Sequence, residues 1–274
     1  LIEAMLLVAQ HGRRLPRPER EIRHLAGSEV RINATNQALQ PHAGGIIYNW
    51  SAALPGELRD DQGIGTLNPD TGQFVWYNIA GAYDSNIALV VTHGESRRDN
   101  LIRLAEILRR TEIRGENLQT NMQMHFGLLN FIIGTDPMLK PSTRFMGGYL
   151  AAVGALQQTI NEVDLSYAWK QELAKVEGPA RDLLSSKQTL ILRPIQRLFE
   201  NPHMLAGFLA RYENKLWRRV AGGVVFKANP VIFLERLYRY LHLEWQEGKD
   251  ASEMIWAHDQ RLLGSLPPRT LVLS

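Results

Sequence analysis

The chain has 274 residues, of which 45% are hydrophobic, with a formal net charge of +3 and no cysteine. Its length favours two domains, and its composition is that of a globular protein that can bury a core. The absence of cysteine excludes disulfides, thiolate nucleophiles and cysteine-ligated zinc from this chain, and the thinly spread positive charge gives no nucleic-acid signature.

The first half of the chain alternates between helix and strand patterns. Apolar residues at helical spacing predict a helix from about Ile2 to Gln10, which Gly12 and Pro16 end. Alternating polar and apolar residues predict a strand at 29–33, and further strands are predicted at 44–50, 73–79 and 87–91. Residues 54–73 are rich in Gly, Pro, Asp and Asn and predict a long loop. Since the strand at 87–91 is apolar throughout, we expect it in a sheet that is covered on both faces.

Two helices with clear starting signals follow. Ser96 and Asp99 predict a capped start, after which apolar residues share one helix face: Leu101, Leu104, Ala105 and Leu108. Thr120 and Gln123 predict a second capping box, and the helix that it opens ends at Asp136.

From about residue 139 the patterns are helical. Helices are predicted at 145–160, 165–176, 179–199, 204–220, 230–245 and 252–263, and the only strand pattern is 224–226. Gly147 and Gly148 are interpreted as a close helix contact or a turn, as are Gly222 and Gly223. The polar segment 135–142 sets a boundary between residues 1–138 and 139–274. The predicted fold class is therefore α+β, with an antiparallel-sheet domain followed by an all-α helical domain.

Five short motifs occur in a fixed order in the first half. They begin at Ala26 (AGSEVRINA), Gln40 (QPHAGGI), Tyr83 (YDSNI), Gly94 (GESR, then LIRL) and Ile113 (IRG, then LQTN). This series resembles the C-terminal subdomain of biotin carboxylases, the ATP-dependent components of acyl-CoA and pyruvate carboxylases. The resemblance covers roughly residues 1–135. The helical half resembles no family, and its position after the resembling segment leads us to interpret 139–274 as an interaction or linker domain.

The resemblance implies an enzyme that carboxylates biotin with ATP and bicarbonate and then transfers the carboxyl group, with an acyl-CoA as the expected acceptor. It implies ATP, magnesium and biotin as cofactors of the parent enzyme, none of them bound by this segment alone. Biotin carboxyl carrier and carboxyltransferase domains are the implied partners, together with a homo-oligomer. Since the chain opens on a helical pattern without a cap, we interpret it as a fragment. The resemblance implies that this fragment lacks the ATP-grasp part and is inactive alone.

Two positions match functional residues of that family. Leu118 matches the aliphatic residue that packs on the adenine of ATP, and Arg97 matches an arginine at the dimer interface. Each has a plainer alternative, because Leu118 could be a core residue before a helix and Arg97 a solvated charge in a first helical turn.

Departures from the family pattern favour a second hypothesis. Asn68 stands where the family has a biotin-contacting arginine, with Arg59 the only arginine nearby, and Leu89 replaces a lysine. Glu116 and Asn117 lengthen the fifth motif. No catalytic residue is therefore assigned, and the alternative is a non-catalytic scaffold or regulatory module on a carboxylase-like fold.

No other motif predicts chemistry. The eight histidines form no metal-binding pair, and Asp60, Asp61 and Asp70 lack the spacing of a calcium loop, so no metal site is predicted. Tyr238 and Tyr240 are interpreted as core aromatics, with the basic residues Arg236 and Arg239 on the outer helix face, rather than as part of a partner surface. The apolar runs are far shorter than the about 20 residues that cross a bilayer, and a cytoplasmic protein is expected.

Overall fold

The computed structural model describes residues 2–14, 24–36, 38–42, 44–61, 64, 68–73, 75–79, 85–140, 142, 144–228 and 232–243, and the backbone of 230, 231, 270 and 271. Tyr83 and Asp84 of the third motif and the helix predicted at 252–263 lie outside these residues. The elements up to residue 135 are α1 (Ile2–His11), β1 (Ala26–Asn33), β2 (Ile46–Trp50), β3 (Glu57–Asp60), β4 (Tyr77–Asn78), β5 (Asn86–Gly94), α2 (Arg97–Arg110), β6 (Ile113–Glu116) and α3 (Met122–Thr135).

The first half contains two small antiparallel sheets. One has the order β1-β5-β3 and the other the order β4-β2-β6. In the central strand β5, the neighbours Ile87 and Ala88 point to opposite faces and both are buried, which confirms the expectation of a sheet covered on both sides. Strand β3 corrects the prediction of a continuous loop at 54–73, because Leu58 and Arg59 pair with Val91 and Val90 of β5.

Helix α2 begins and packs as its sequence predicts. Ser96 caps it, with its Oγ accepting a hydrogen bond from the Asp99 amide at 3.1 Å. The buried side of the helix includes the four predicted residues and also Asn100, whose side chain is fully buried. Asn100 donates to Ser28 Oγ of β1 and accepts from Thr92 Oγ1 of β5, both at 2.7 Å. This amide therefore fixes the helix on the sheet at a polar contact that apolar periodicity does not reveal.

Helix α3 begins where it was predicted, but not with a capping box. Gln123 accepts a hydrogen bond from Asn201 instead of reaching back to the helix start. Asn121 accepts from the Asn33 amide at 2.9 Å and donates to the Arg31 carbonyl at 3.1 Å. The residue before α3 thus ties the helix to the end of β1.

The second half is mainly helical and also contains strands. Its elements are α4 (Phe145–Glu162), α5 (Leu165–Ala174), α6 (Pro179–Ser186), α7 (Gln188–Phe199), α8 (Pro202–Tyr212), β7 (Trp217–Val220), β8 (Gly223–Phe226), α9 (Pro230–Leu241) and β9 (Thr270–Leu271).

The prediction of an all-α second domain is wrong, because β7, β8 and β9 form an antiparallel sheet. The helix predicted at 204–220 ends at Tyr212, after which Asn214 adopts a left-handed φ of 63° and the chain turns into β7. Gly222, at φ 83°, makes the tight turn to β8. This agrees with the interpretation of Gly222 and Gly223 as a turn. Gly147 and Gly148 instead meet no described atom within 4 Å, so they are not a close contact.

Helices α3 and α8 pack against each other across the predicted domain boundary. A Cβ on Gly207 would lie 2.6 Å from the Gly127 carbonyl oxygen and 2.9 Å from Gly127 Cα. The main hydrophobic cluster contains Ile32 and Leu104 from the first half and Phe208 and Leu237 from the second. The division at 138 and 139 therefore does not separate two cores, and it stays a prediction.

Candidate functional site

Leu118 lies in the loop between β6 and α3. The loop folds closely over β2, because a Cβ on Gly115 would lie 2.2 Å from the Ile46 carbonyl oxygen and 2.7 Å from Leu118 Cδ2. Gly45, at φ 117°, faces the Asn117 carbonyl on the other side of this contact. Leu118 is half-buried and packs against the main core, with part of its side chain left at the surface.

Leu118 lines a cavity of about 910 Å³, which we call the Leu118 cavity. Thr35, Tyr48, Met122, Gln157 and His203 are among its other lining residues. Its volume is in the range of small-molecule sites. His203 on α8 and Gln157 on α4 line the cavity with Leu118, because α8 packs on α3 and α4 packs on α8, so the helical half supplies part of the wall.

The polar groups of the Leu118 cavity are mostly neutral. Thr35 is 3% exposed, and its buried Oγ1 has no hydrogen-bond partner among the described residues. His203 Nδ1 and the Tyr149 hydroxyl are hydrogen-bonded at 3.0 Å. Burial lowers the pKa of His203 and raises that of Tyr149, so both rings are uncharged at neutral pH.

The two charged side chains that line this cavity already have ionic partners. Arg114 pairs with Glu112 at 3.3 Å, and Glu200 pairs with Arg197 at 2.7 Å. Apolar contact with Leu118 and neutral donors and acceptors suit an uncharged heterocycle better than a phosphate group. The described residues hold no group of three His, Asp or Glu side chains that could bind a metal ion.

Arg97 is the first residue of α2, where it is half-buried, and it does not line the Leu118 cavity. The two predicted site residues are therefore not brought together in one site.

The structure gives both residues near the expected biotin contact a local structural role. Asn68 caps a turn, with its Oδ1 accepting from the amides of Asp70 at 2.9 Å and Thr71 at 3.2 Å. Arg59 is 3% exposed at its side chain, forms an ion pair with Glu57 and lies over the Trp50 ring, with its Cζ 4.4 Å from the ring centroid.

No model of a known protein family matches the chain, and no curated protein matches it in sequence. The similar solved structures include biotin carboxylase domains of biotin-dependent carboxylases. The biotin carboxylase domain of Hydrogenobacter thermophilus 2-oxoglutarate carboxylase, solved with MgADP and bicarbonate, is 21% identical over 45% of this chain and 24% of its own, with a TM-score of 0.36.

Two further structures are similar at the same level. The biotin carboxylase subunit of a pyruvate carboxylase is 18% identical over 46% of this chain and 25% of its own, with a TM-score of 0.35. The Campylobacter jejuni biotin carboxylase is 17% identical over 44% of this chain and 22% of its own, with a TM-score of 0.30. The chain thus spans about a quarter of the length of these proteins, and TM-scores this low support no functional argument.

No helix within the described part of the chain is both long enough and apolar enough to cross a membrane.

Proposed function

We propose that this chain is part of the biotin carboxylase component of a biotin-dependent acyl-CoA carboxylase. In this proposal Leu118 packs against the adenine of ATP, and the Leu118 cavity is one wall of the ATP site. The observation that carries the proposal is the position of Leu118 itself. The residue that the ordered motifs match to the adenine contact has part of its side chain exposed in a cavity of about 910 Å³ with neutral polar walls.

The described residues fit only part of such a site. They offer a surface for adenine, but they contain no carboxylate cluster that could bind magnesium. Near the expected biotin contact, the arginine that they contain, Arg59, is held in a buried ion pair with Glu57. We therefore assign no catalytic step to these residues, and the reacting groups belong to another part of the parent protein in this proposal. Carrier and carboxyltransferase domains are its proposed partners.

The proposal is tested by ATP cleavage in the full-length parent protein, with magnesium and bicarbonate and with or without free biotin. Biotin-stimulated ADP release is the expected result. A well-folded protein that binds no ATP and shows no stimulation would favour the scaffold alternative. The scaffold alternative is specifically favoured by two observations: Arg59 forms an ion pair with Glu57, and the Asn68 side chain caps a turn.

The Leu118→Ala variant tests the adenine contact. We expect its KM for ATP to rise roughly tenfold with kcat little changed, because a lost apolar contact to bound substrate costs about 1–3 kcal/mol. Steady-state kinetics would measure this. Leu58→Ala is the control, since Leu58 is 69% exposed on β3 and does not line the cavity. An equal KM in both variants would contradict the contact.

The Arg97→Glu variant tests the expected homo-oligomer. Reversing a charge at a subunit interface costs several kcal/mol, so we expect a dimer of the parent protein to dissociate at least a hundredfold more readily. Sedimentation equilibrium would measure the constant. Arg110→Glu, at the exposed end of the same helix, is the control. A dimer equally stable in both variants would remove Arg97 from the interface.

A further inference from the structure

A second cavity, of about 710 Å³, lies where α2 and α3 meet the end of α8, the following turn and α9. We call it the basic cavity. Its charged lining residues are Glu106, Arg109, Arg211, Lys215, Arg236 and Arg239. None of the residues that line it also lines the Leu118 cavity. The two cavities are therefore separate sites on the same pair of helices.

The basic cavity has a large excess of positive charge. Its single lining carboxylate among the described residues, Glu106, is occupied by Arg109, which donates Nη2 at 2.5 Å and Nε at 2.9 Å. Arg109 also donates to the Arg239 carbonyl at 3.2 Å. The charges of Glu106 and Arg109 cancel, so the net positive charge of the cavity comes from Arg211, Lys215 and two arginines of α9.

These cations are close enough to repel one another. Burial lowers the pKa of Lys215, and the charges of Arg211, Arg98 and Arg236 lower it further. Burial also lowers the pKa of Arg211, and Arg98 contributes again. A protein that gathers like charges around a cavity of this size disfavours its own folded state unless an anion neutralises them.

Arg211 also has an unused donor. Its Nη1 is buried without a hydrogen-bond partner among the described residues. A cation in the last turn of α8 is favoured by the helix dipole, which is the plainer explanation of Arg211. The dipole explains neither the buried, unpaired nitrogen nor the cations of the turn and of α9. Burying an unpaired donor is costly, and an anion in the cavity would remove that cost.

The remaining wall of the basic cavity is mainly apolar, although Asn130 also lines it. Ile102 and Ile232 give it accessible apolar surface, whereas Phe126 and Leu216 are only 6% and 5% exposed. A bare inorganic ion would leave the accessible apolar surface in contact with water. The combination of guanidinium forks and an apolar wall suits a phosphoryl group attached to an apolar body.

We propose that the basic cavity binds a small organic phosphate, whose phosphoryl oxygens accept hydrogen bonds from Arg211, Lys215 and Arg236 and whose body packs against Ile102 and Ile232. This inference does not depend on the adenine contact at Leu118.

The test is calorimetric titration of the full chain with 1-naphthyl phosphate and with inorganic phosphate. We expect one site per chain, and an affinity for naphthyl phosphate about tenfold higher than for inorganic phosphate, because only the former uses the apolar wall. In Arg211→Met we expect the naphthyl phosphate affinity to fall at least tenfold, since a charge-assisted hydrogen bond is lost. Lys215→Glu should weaken binding further by reversing a charge.

Two controls separate this site from general charge effects and from the Leu118 cavity. Arg197→Met removes an arginine of similar size whose side chain is 58% exposed and paired with Glu200, and it should bind naphthyl phosphate as the wild type does. Leu118→Ala should also bind it unchanged. The proposal is overturned if no saturable binding is found, if the Arg197 and Arg211 variants lose affinity equally, or if both phosphates bind with the same affinity.

Discussion

We expect Gly207→Ala to lower the free energy of unfolding by about 3 kcal/mol, through overpacking between α3 and α8. The added Cβ would lie 2.5 Å from the Tyr240 hydroxyl, 2.6 Å from the Gly127 oxygen and 2.9 Å from Gly127 Cα. Two of these three atoms are backbone, so no rotamer change relieves the contact. The Tyr240 hydroxyl donates to the Met204 carbonyl at 2.9 Å, and moving it would break that bond.

Urea unfolding followed by circular dichroism would measure this loss. Gly154→Ala is the control, because Gly154 is an exposed residue of α4 with no described atom within 4 Å of its Cβ position. That variant should gain up to about 1 kcal/mol from helix propensity. If the two variants behaved alike, the close approach of α3 and α8 would not exist in solution, and the Leu118 cavity would lose the wall that the second half provides.

Local patterns predicted the elements whose signals are contained within them. The alternation of β1, the apolar run of β5 and the Ser96 cap of α2 depend on neighbouring residues only, and all three are confirmed. Strand β3 was missed, because its sequence reads as loop and it becomes a strand by pairing with β5, about 30 residues away. Strand β7 was missed because residues 217–220 carry a helical pattern and were included in the helix predicted at 204–220, whereas the strand pattern at 224–226 is confirmed by β8.

The candidate sites also depend on contacts between residues that are distant in the sequence. The motif series identified Leu118, but Gln157 and His203, which line the same cavity, lie in the other half of the chain and reach it only because α8 packs on α3 and α4 packs on α8. The tyrosines of α9 were correctly predicted to be buried. Arg236 on the same helix was interpreted as outer surface, whereas the fold places it in the wall of the basic cavity. Sequence periodicity separates a buried side from an outer side, but it does not say whether the outer side faces water or another element.

We expect Glu57→Ala to lower the free energy of unfolding by about 3–5 kcal/mol, because it leaves the Arg59 charge buried without its partner. The Glu57 side chain is fully buried, and its Oε2 also accepts from the Leu54 amide at 2.8 Å. Arg59 donates to the Ser51 carbonyl at 2.5 Å and lies over Trp50. The variant would therefore free one amide and leave one cation uncompensated at the start of β3.

Two comparisons distinguish the buried charge from other effects of the same substitution. Glu112→Ala breaks a pair whose side chains are 62% and 49% exposed, and it should cost at most about 1 kcal/mol. Replacing both Glu57 and Arg59 with Met removes the charge together with its partner and should recover most of the loss, since apolar pairs of similar volume often replace buried ion pairs well. Chemical unfolding of the three variants gives these values. If Glu57→Ala lowered the free energy of unfolding no more than Glu112→Ala does, Arg59 would be solvated in the native protein. The buried ion pair would then no longer be a reason to exclude Arg59 from the expected biotin contact.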